Sequence, residues 1–349
     1  MIWLTWRQFR AQTIVAAAAL AVLAVIFAVT GPHLAHLYDI SGIATCHGTV
    51  DCGTLATSSL NKLTKLYPIL YFAGILVLLL APALIGAFWG APLVTREIEA
   101  RTLPLAWNQT VTRTRWMAAK LGLIGLAAMA TAGLLSLMLT WWASPLDRIT
   151  MWDATGSIGF SRLEFPLFDV RGVVPVGYAA FAFALGVTAG VLIRRTLPAM
   201  AATLAGFAAV QFAWPTWIRP SLIAPAHAIL PFNSAATIGL SVGRNNTLAP
   251  IAPATVEPDA WIYSSQVINP AGQPFNAATL HACVATETSG SFQACQAALG
   301  RVHDLRQLVT YQPASRFWAL QGYEAAIYLV IALVLAGFCV WWVHHRRLS

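Results

Sequence analysis

The sequence predicts an all-α polytopic membrane protein in which six helices cross a bilayer. Three observations carry that prediction. Hydrophobic residues make up 58% of the 349-residue chain and charged residues only 10%, where a soluble domain carries roughly 25% charged residues. Mean hydropathy is +0.66. The apolar residues also gather into runs near the roughly 20 residues that a helix needs to cross a hydrocarbon core of about 30 Å. A larger soluble core does not explain the shortage of charge, because a water-facing surface still has to be solvated.

The runs are 13–30, 67–94, 121–143, 173–193, 197–214 and 325–343. The first follows Trp6-Arg7-Gln8-Phe9-Arg10 and so has the basic start of a secretory leader. Gly31-Pro32-His33-Leu34 offers no small-x-small cleavage site, and further runs follow, so an uncleaved helix is expected. The second run is uncharged and long enough to tilt or to project beyond the membrane. Arg194-Arg195-Thr196-Leu197-Pro198 leaves a tight hairpin between the fourth and fifth. Residues 215–323 form an outer insertion between the fifth and sixth. Its early part, with Pro250, Pro253, Pro258, Pro270 and Pro274, suggests an irregular ordered loop, and 277–308 suggests a helical hairpin around Ser289-Gly290-Ser291.

Charge placement sets the expected orientation. With the N-terminus in the cytosol, Arg7, Arg10, Arg96, Arg101, Arg113, Arg115, Lys120, Arg194, Arg195, Arg346 and Arg347 share the cytosolic face with Glu97 and Glu99. The short outer loops hold only Lys62, Lys65, Arg148, Arg162 and Arg171, beside several acids. By the positive-inside rule both ends are cytosolic. The formal net charge of +8 then lies at a membrane face, which favours anionic membrane lipid or a cytosolic partner over nucleic acid.

Cysteines agree with this orientation. Cys46 and Cys52 bracket a tight outer loop, Cys283 and Cys295 fall in the outer insertion, and Cys339 alone lies in a run. Two close pairs on the outer face read as disulfides in an oxidising compartment. Neither pair has the two-residue spacing of common zinc sites, even with His33, His36 and His47 near the first.

What the sequence lacks is equally informative. The apolar runs hold essentially no ionisable group, with Glu324 at the edge of the last; intramembrane charges usually mark ion paths, proton relays or catalysis. A Walker-type phosphate loop, a Gly-x-Ser-x-Gly elbow and a His-Glu-x-x-His helix are all missing. No catalytic, cofactor-binding or metal-binding residue is therefore expected, and any work is driven by a partner. An outer-face enzyme would draw on Glu164, Asp169, Glu257, Asp259 and the loop histidines, whose spacing forms no recognisable site.

The sizeable cytosolic segment is the elbow 95–120 between the second and third runs. It reads Arg96-Glu97-Ile98-Glu99-Ala100-Arg101-Thr102, then Thr112-Arg113-Thr114-Arg115, then Lys120. Topology accounts for the basic residues but requires no acids. Three further phrases stand out: Trp3-Leu4-Thr5-Trp6-Arg7-Gln8-Phe9-Arg10, Asp169-Val170-Arg171-Gly172-Val173 and Tyr311-Gln312-Pro313-Ala314-Ser315-Arg316-Phe317-Trp318. Together, over nearly the whole chain, these resemble the permease subunits of ATP-binding-cassette (ABC) transporters of the type-2 exporter class, in its actinobacterial branch.

The resemblance implies a multi-pass permease of the bacterial cytoplasmic membrane that exports a hydrophobic or amphipathic solute by alternating access. It implies a separate cytosolic ABC ATPase, which binds the ATP and Mg, and a second permease copy. The elbow becomes the ATPase-coupling segment, with Arg96, Glu97, Glu99, Arg101, Thr102 and Trp107 as its contact residues. Trp107 serves either as a buried anchor or as an interfacial tryptophan. The family's elbow glycine is replaced by Arg101, which displaces the turn that ends the helix. The path between two permeases, lined by second and fifth spans, would be walled by Trp89, Phe207, Gln211 and Phe212. Gly86 with Gly90 and Gly186 with Gly190 form Gly-x-x-x-Gly pairs, expected to pack helices within the chain rather than form a dimer seam. The rival reading is a non-transporting sensor or scaffold that displays the outer insertion.

Overall fold

A computed structural model of the chain describes residues 2–42, 58, 68–100, 113–150, 161–232, 240–242, 247–250, 256–257, 259–276, 295–302 and 304–345. The fold is mostly helical. Among the described residues six helices are long and apolar enough to cross a membrane: Phe9–Ile40, Ile69–Glu99, Thr114–Arg148, Val174–Ile193, Thr196–Leu222 and Ala314–His345, here spans 1 to 6. Each predicted run falls on one of them, but most helices continue past the apolar stretch into polar sequence. By contact the chain divides into two compact units. One comprises Met1–Ile149, Phe165–Ile223 and Trp318–Ser349, and the other Thr150–Glu164 and Ala224–Phe317.

In the first unit the spans alternate in direction. Gln12 of span 1 donates to the Phe88 carbonyl of span 2 at 2.9 Å, so the start of one lies beside the end of the other. The opposite end is marked by the Trp142 indole N–H, which donates to Thr30 Oγ1 at 2.8 Å. Span 4 is the central helix. Its most apolar stretch is 72% buried within the fold, against 11% for span 1 and 39% for spans 2 and 3. A helix that is apolar on every face suits such a place.

Span 2 crosses span 4 at the glycine pairs. A Cβ on Gly86 would lie 2.5 Å from the Ala182 carbonyl oxygen, and one on Gly90 would lie 2.5 Å from that of Phe183. A Cβ on Gly186 would fall on the Gly86 carbonyl oxygen. Only hydrogen fits between these backbones, so the two glycine motifs serve each other inside one chain. Residues Gly86–Gly90 form a π-turn, closed by the Ala91 N–H on the Gly86 oxygen at 3.0 Å. The extra residue turns the helix face by about 100° and re-aims the last part of span 2, Pro92–Glu99. A second π-turn, Trp214–Ile218, holds Pro215 and delivers Arg219 to the buried side of span 5. The predicted hairpin is present: Arg194 ends span 4 with a left-handed φ of 60° and donates its N–H to the Gly190 oxygen.

The second unit corrects the expectation for 215–323. Residues 215–222 continue span 5, and the next described part is built on strands: β1 (Ala226–Pro231), β2 (Leu240–Val242), β3 (Leu248–Pro250), β4 (Trp261–Ile268) and β5 (Arg306–Gln312). An antiparallel sheet runs β1-β5-β4, and β2 pairs with β3. The chain is thus mostly helical rather than all-α. Pro250 closes β3, while Pro270 and Pro274 lie in the turn after β4, where a missing N–H breaks no central ladder. Strands β2 and β3 are only three residues long, and β4 and β5 mix polar with apolar residues, so they read as loop. Of the proposed helical hairpin, 295–299 is helical and 306–308 belongs to β5, while 277–294 lie outside the described residues. Cys46, Cys52 and Cys283 also lie outside them; Cys295 is buried beside Leu248, Val267, Leu299 and Leu305.

Overpacking a close contact of this kind costs about 1–3 kcal/mol or more. Gly90→Leu is therefore expected to lower the melting temperature of the detergent-solubilised protein. Gly122→Ala, with nothing within 4 Å of the added Cβ, should leave it unchanged or raise it.

Candidate functional site

The site expected from the sequence lies where span 2 ends. Helix Pro92–Glu99 leaves the π-turn with proline in its first turn, where the missing N–H is no loss. Val94 and Thr95 face inward and are buried, and the Thr95 hydroxyl donates to the Ala91 carbonyl at 3.1 Å. The Thr95 and Thr196 hydroxyl oxygens lie 2.8 Å apart, joining this helix to the start of span 5.

Its two acids are both engaged within the fold. Glu99 Oε1 accepts the Thr196 backbone N–H at 2.8 Å, and Oε2 accepts the Thr196 hydroxyl at 2.8 Å. A carboxylate here meets the unsatisfied N–H groups and positive dipole of a helix start. Glu97 pairs with Lys120 of span 3 at 2.5 Å, with side chains only 14% and 5% exposed. The Lys120 ammonium also lies 4.3 Å from the centre of the Trp116 ring. The elbow is thus bonded to span 3 by Glu97 and to span 5 by Glu99.

Arg96 is exposed at the rim of a cavity of about 200 Å³ lined by Phe9, Gln12, Trp89, Leu93 and Lys120 among others. Arg101, Thr102 and Trp107 lie outside the described residues. The expected path residues divide by face. Trp89 is buried against Phe9, edge to face at 5.0 Å, and Phe207 is buried beside Phe181 and Tyr178. Phe212 is exposed, and Gln211 is half-buried with Oε1 lacking a hydrogen-bond partner.

Sequence reasoning missed two things. Thr196 gave no signal, because its role depends on a partner 97 residues away. The expectation of spans without ionisable groups also fails, since Arg219 of span 5 and Glu324 of span 6 are both fully buried and joined. Both sit just past the apolar runs but within the helices, because the helices are longer than the runs. Charges flanking several runs on the same side were the available clue.

The outer acids fall in different settings. Asp169 belongs to the Arg219 cluster. In the other unit Asp259 pairs with Arg162, and Glu257 accepts the Ala314 N–H at 3.2 Å. Burial pushes the half-buried Glu164 carboxyl above the ordinary range, while a backbone hydrogen bond from Ser161 pulls it back. Among the described residues no group of His, Cys, Asp or Glu is placed to hold a metal ion.

A family model described as ABC-2 membrane transporter related matches residues 17–219, more than half of the chain. The chain belongs to this family. It is a multi-pass membrane protein, and ABC-2 membrane domains work with an ATPase in general. The matched region takes in the glycine crossing, helix Pro92–Glu99 and its partners Lys120 and Thr196. No curated protein and no solved structure matches the chain.

Removing one partner of a largely buried pair leaves the other charge stranded, at a cost of about 3 kcal/mol. Lys120→Met is expected to lose about that much stability in denaturant unfolding. The double variant Lys120→Met/Glu97→Gln should recover most of it.

Proposed function

We propose that this chain is the permease subunit of an ATP-driven exporter in the bacterial cytoplasmic membrane, with both ends cytosolic. It works by alternating access with a separate ATPase that holds ATP and Mg, two copies of each chain forming the transporter. The observation that carries this reading is the bonding of helix Pro92–Glu99 to spans 3 and 5 through Lys120 and Thr196. A segment tied to three spans passes on any displacement of a docked partner.

The ATPase contacts fall to exposed Arg96 and to Arg101, Thr102 and Trp107 further along the elbow, while Glu97 and Glu99 hold its shape. Charges of both signs suit a polar, reversible interface. The path runs between two copies, with Gln211 and Phe212 of span 5 on its wall and Trp89 and Phe207 bracing the wall from inside. An uncharged wall with few polar groups suits a hydrophobic or amphipathic solute. On the outer face we assign two disulfides, one between Cys46 and Cys52 and one between Cys283 and Cys295.

Co-purification with an ATPase encoded beside this gene tests the docking surface. Arg101→Glu with Trp107→Ala is expected to lose the ATPase while the permease still reaches the membrane. Recovery of the complex at the wild-type level would place docking elsewhere. Gln211→Trp is expected to change solute-stimulated ATP hydrolysis in the assembled transporter by several-fold; an unchanged rate with intact expression removes Gln211 from the wall.

A further inference from the structure

The far end of the membrane unit encloses a charged cluster that the transport reading does not use. Arg219 of span 5, Glu324 of span 6, Asp169 of the short helix Leu167–Val170 and Tyr178 of span 4 meet there, each no more than 1% exposed. Arg219 grips Glu324 at two points, Nε on Oε2 at 2.9 Å and Nη2 on Oε1 at 3.0 Å. Its Nη2 also contacts Asp169 Oδ1, and the Phe168 ring covers the guanidinium at 4.2 Å. The Tyr178 hydroxyl oxygen lies 2.7 Å from Asp169 Oδ1 and 2.5 Å from Glu324 Oε1.

Two independent counts come up one proton short. One guanidinium faces two carboxyl groups, so full ionisation would strand a negative charge away from water, which is strongly unfavourable. Tyr178 has a single hydroxyl hydrogen, and ionised carboxylates only accept, so its two short oxygen contacts cannot both be hydrogen bonds. One additional proton resolves both counts. Its place follows from geometry. Glu324 has the two-point guanidinium grip, which is the mark of an ionised acceptor. Asp169 Oδ2 is buried with no hydrogen-bond partner, which a neutral acid tolerates better than a carboxylate.

We propose that this cluster is a proton-binding site in which Asp169 is held as a neutral acid. The Asp169 O–H donates to the Tyr178 oxygen, the Tyr178 O–H donates to the Glu324 carboxylate, and Arg219 neutralises Glu324. The other groups facing the site carry no further charge to balance. Span 6 adds Tyr328, whose ring centre is 4.8 Å from that of Tyr178, and span 5 adds Trp214 at 4.5 Å from Tyr328. Gln321 uses its amide on the Val173 and Val174 N–H groups and the Phe168 carbonyl. Arg171 pairs with Asp147 of span 3, and Tyr71 of span 2 faces that pair. The cluster is neutral only with its proton.

Infrared spectroscopy of the purified chain at mildly alkaline pH, where exposed carboxyls are ionised, tests the site. The carbonyl stretch of a neutral carboxylic acid is expected, shifting down with carboxyl-¹³C aspartate but not with carboxyl-¹³C glutamate. Asp169→Asn should abolish it. Glu164→Gln should preserve it, which separates the site from the other carboxyl raised by burial. Absence of the band, a shift with labelled glutamate alone, or its survival in Asp169→Asn would overturn the assignment. The labelled wild-type chain decides between aspartate and glutamate even where the variant does not fold. No ATPase is needed, so the result is independent of the transport reading.

Discussion

Helices surrounded by lipid gain no hydrophobic drive toward one another, so contact depends on how closely their backbones approach. In this chain that approach is the crossing of spans 2 and 4. Gly86 and Gly90 lie against the carbonyls of Ala182 and Phe183, and Gly186 lies against Gly86 in return. The same crossing fixes the π-turn and hence the direction in which helix Pro92–Glu99 departs. Gly190 extends the contact, since a Cβ there would lie 2.6 Å from the Ala91 oxygen. From that departure follow the burial of Val94 and Thr95 and the reach of Glu97 and Glu99 to their partners. Span 4, enclosed by its neighbours, is the common surface on which these contacts rest.

Polar side chains hold the two ends of the membrane unit in different ways. At the elbow end Glu97 and Lys120 form a largely buried pair, while Glu99 holds Thr196 by two hydrogen bonds at the surface. Glu99 and Arg96 are exposed, so solvent and salt screen much of their attraction. At the far end Arg219, Asp169, Tyr178 and Glu324 share one dry cluster. There every missing hydrogen bond is costly, so the group is held as a unit across span 4, span 5, span 6 and the segment before span 4.

The second unit has its own organisation. Strand β5 is central, flanked by β1 and β4. The buried Gln307 side chain donates to Ser265 Oγ at 2.7 Å across the β4-β5 pair. Arg162 and Asp259 tie the stretch before span 4 to the turn preceding β4. An Asp259 φ of 60° sets that turn.

The spans, the tight Arg194-Arg195 connection, the glycine motifs and the charged elbow were all legible in the sequence, because each is a property of contiguous residues. Hydropathy over about 20 residues decides whether a helix can cross a membrane, and a four-residue glycine spacing decides where its backbone can be approached. Which face of a span turns inward was not legible, since these helices are apolar all round and carry no periodicity to read. Trp89 and Phe207 therefore look like Phe212 in sequence, yet only Phe212 faces outward. The partners of Glu97 and Glu99, 23 and 97 residues away, depend on how the spans are arranged. The sheet, which pairs Ala226 with Tyr311, was hidden because strands of mixed polarity resemble loop until a distant strand completes them. Tertiary structure alone decided that Arg219, Asp169 and Glu324, each at the edge of an apolar run, share one buried site: charge is affordable there only when all of its partners arrive together.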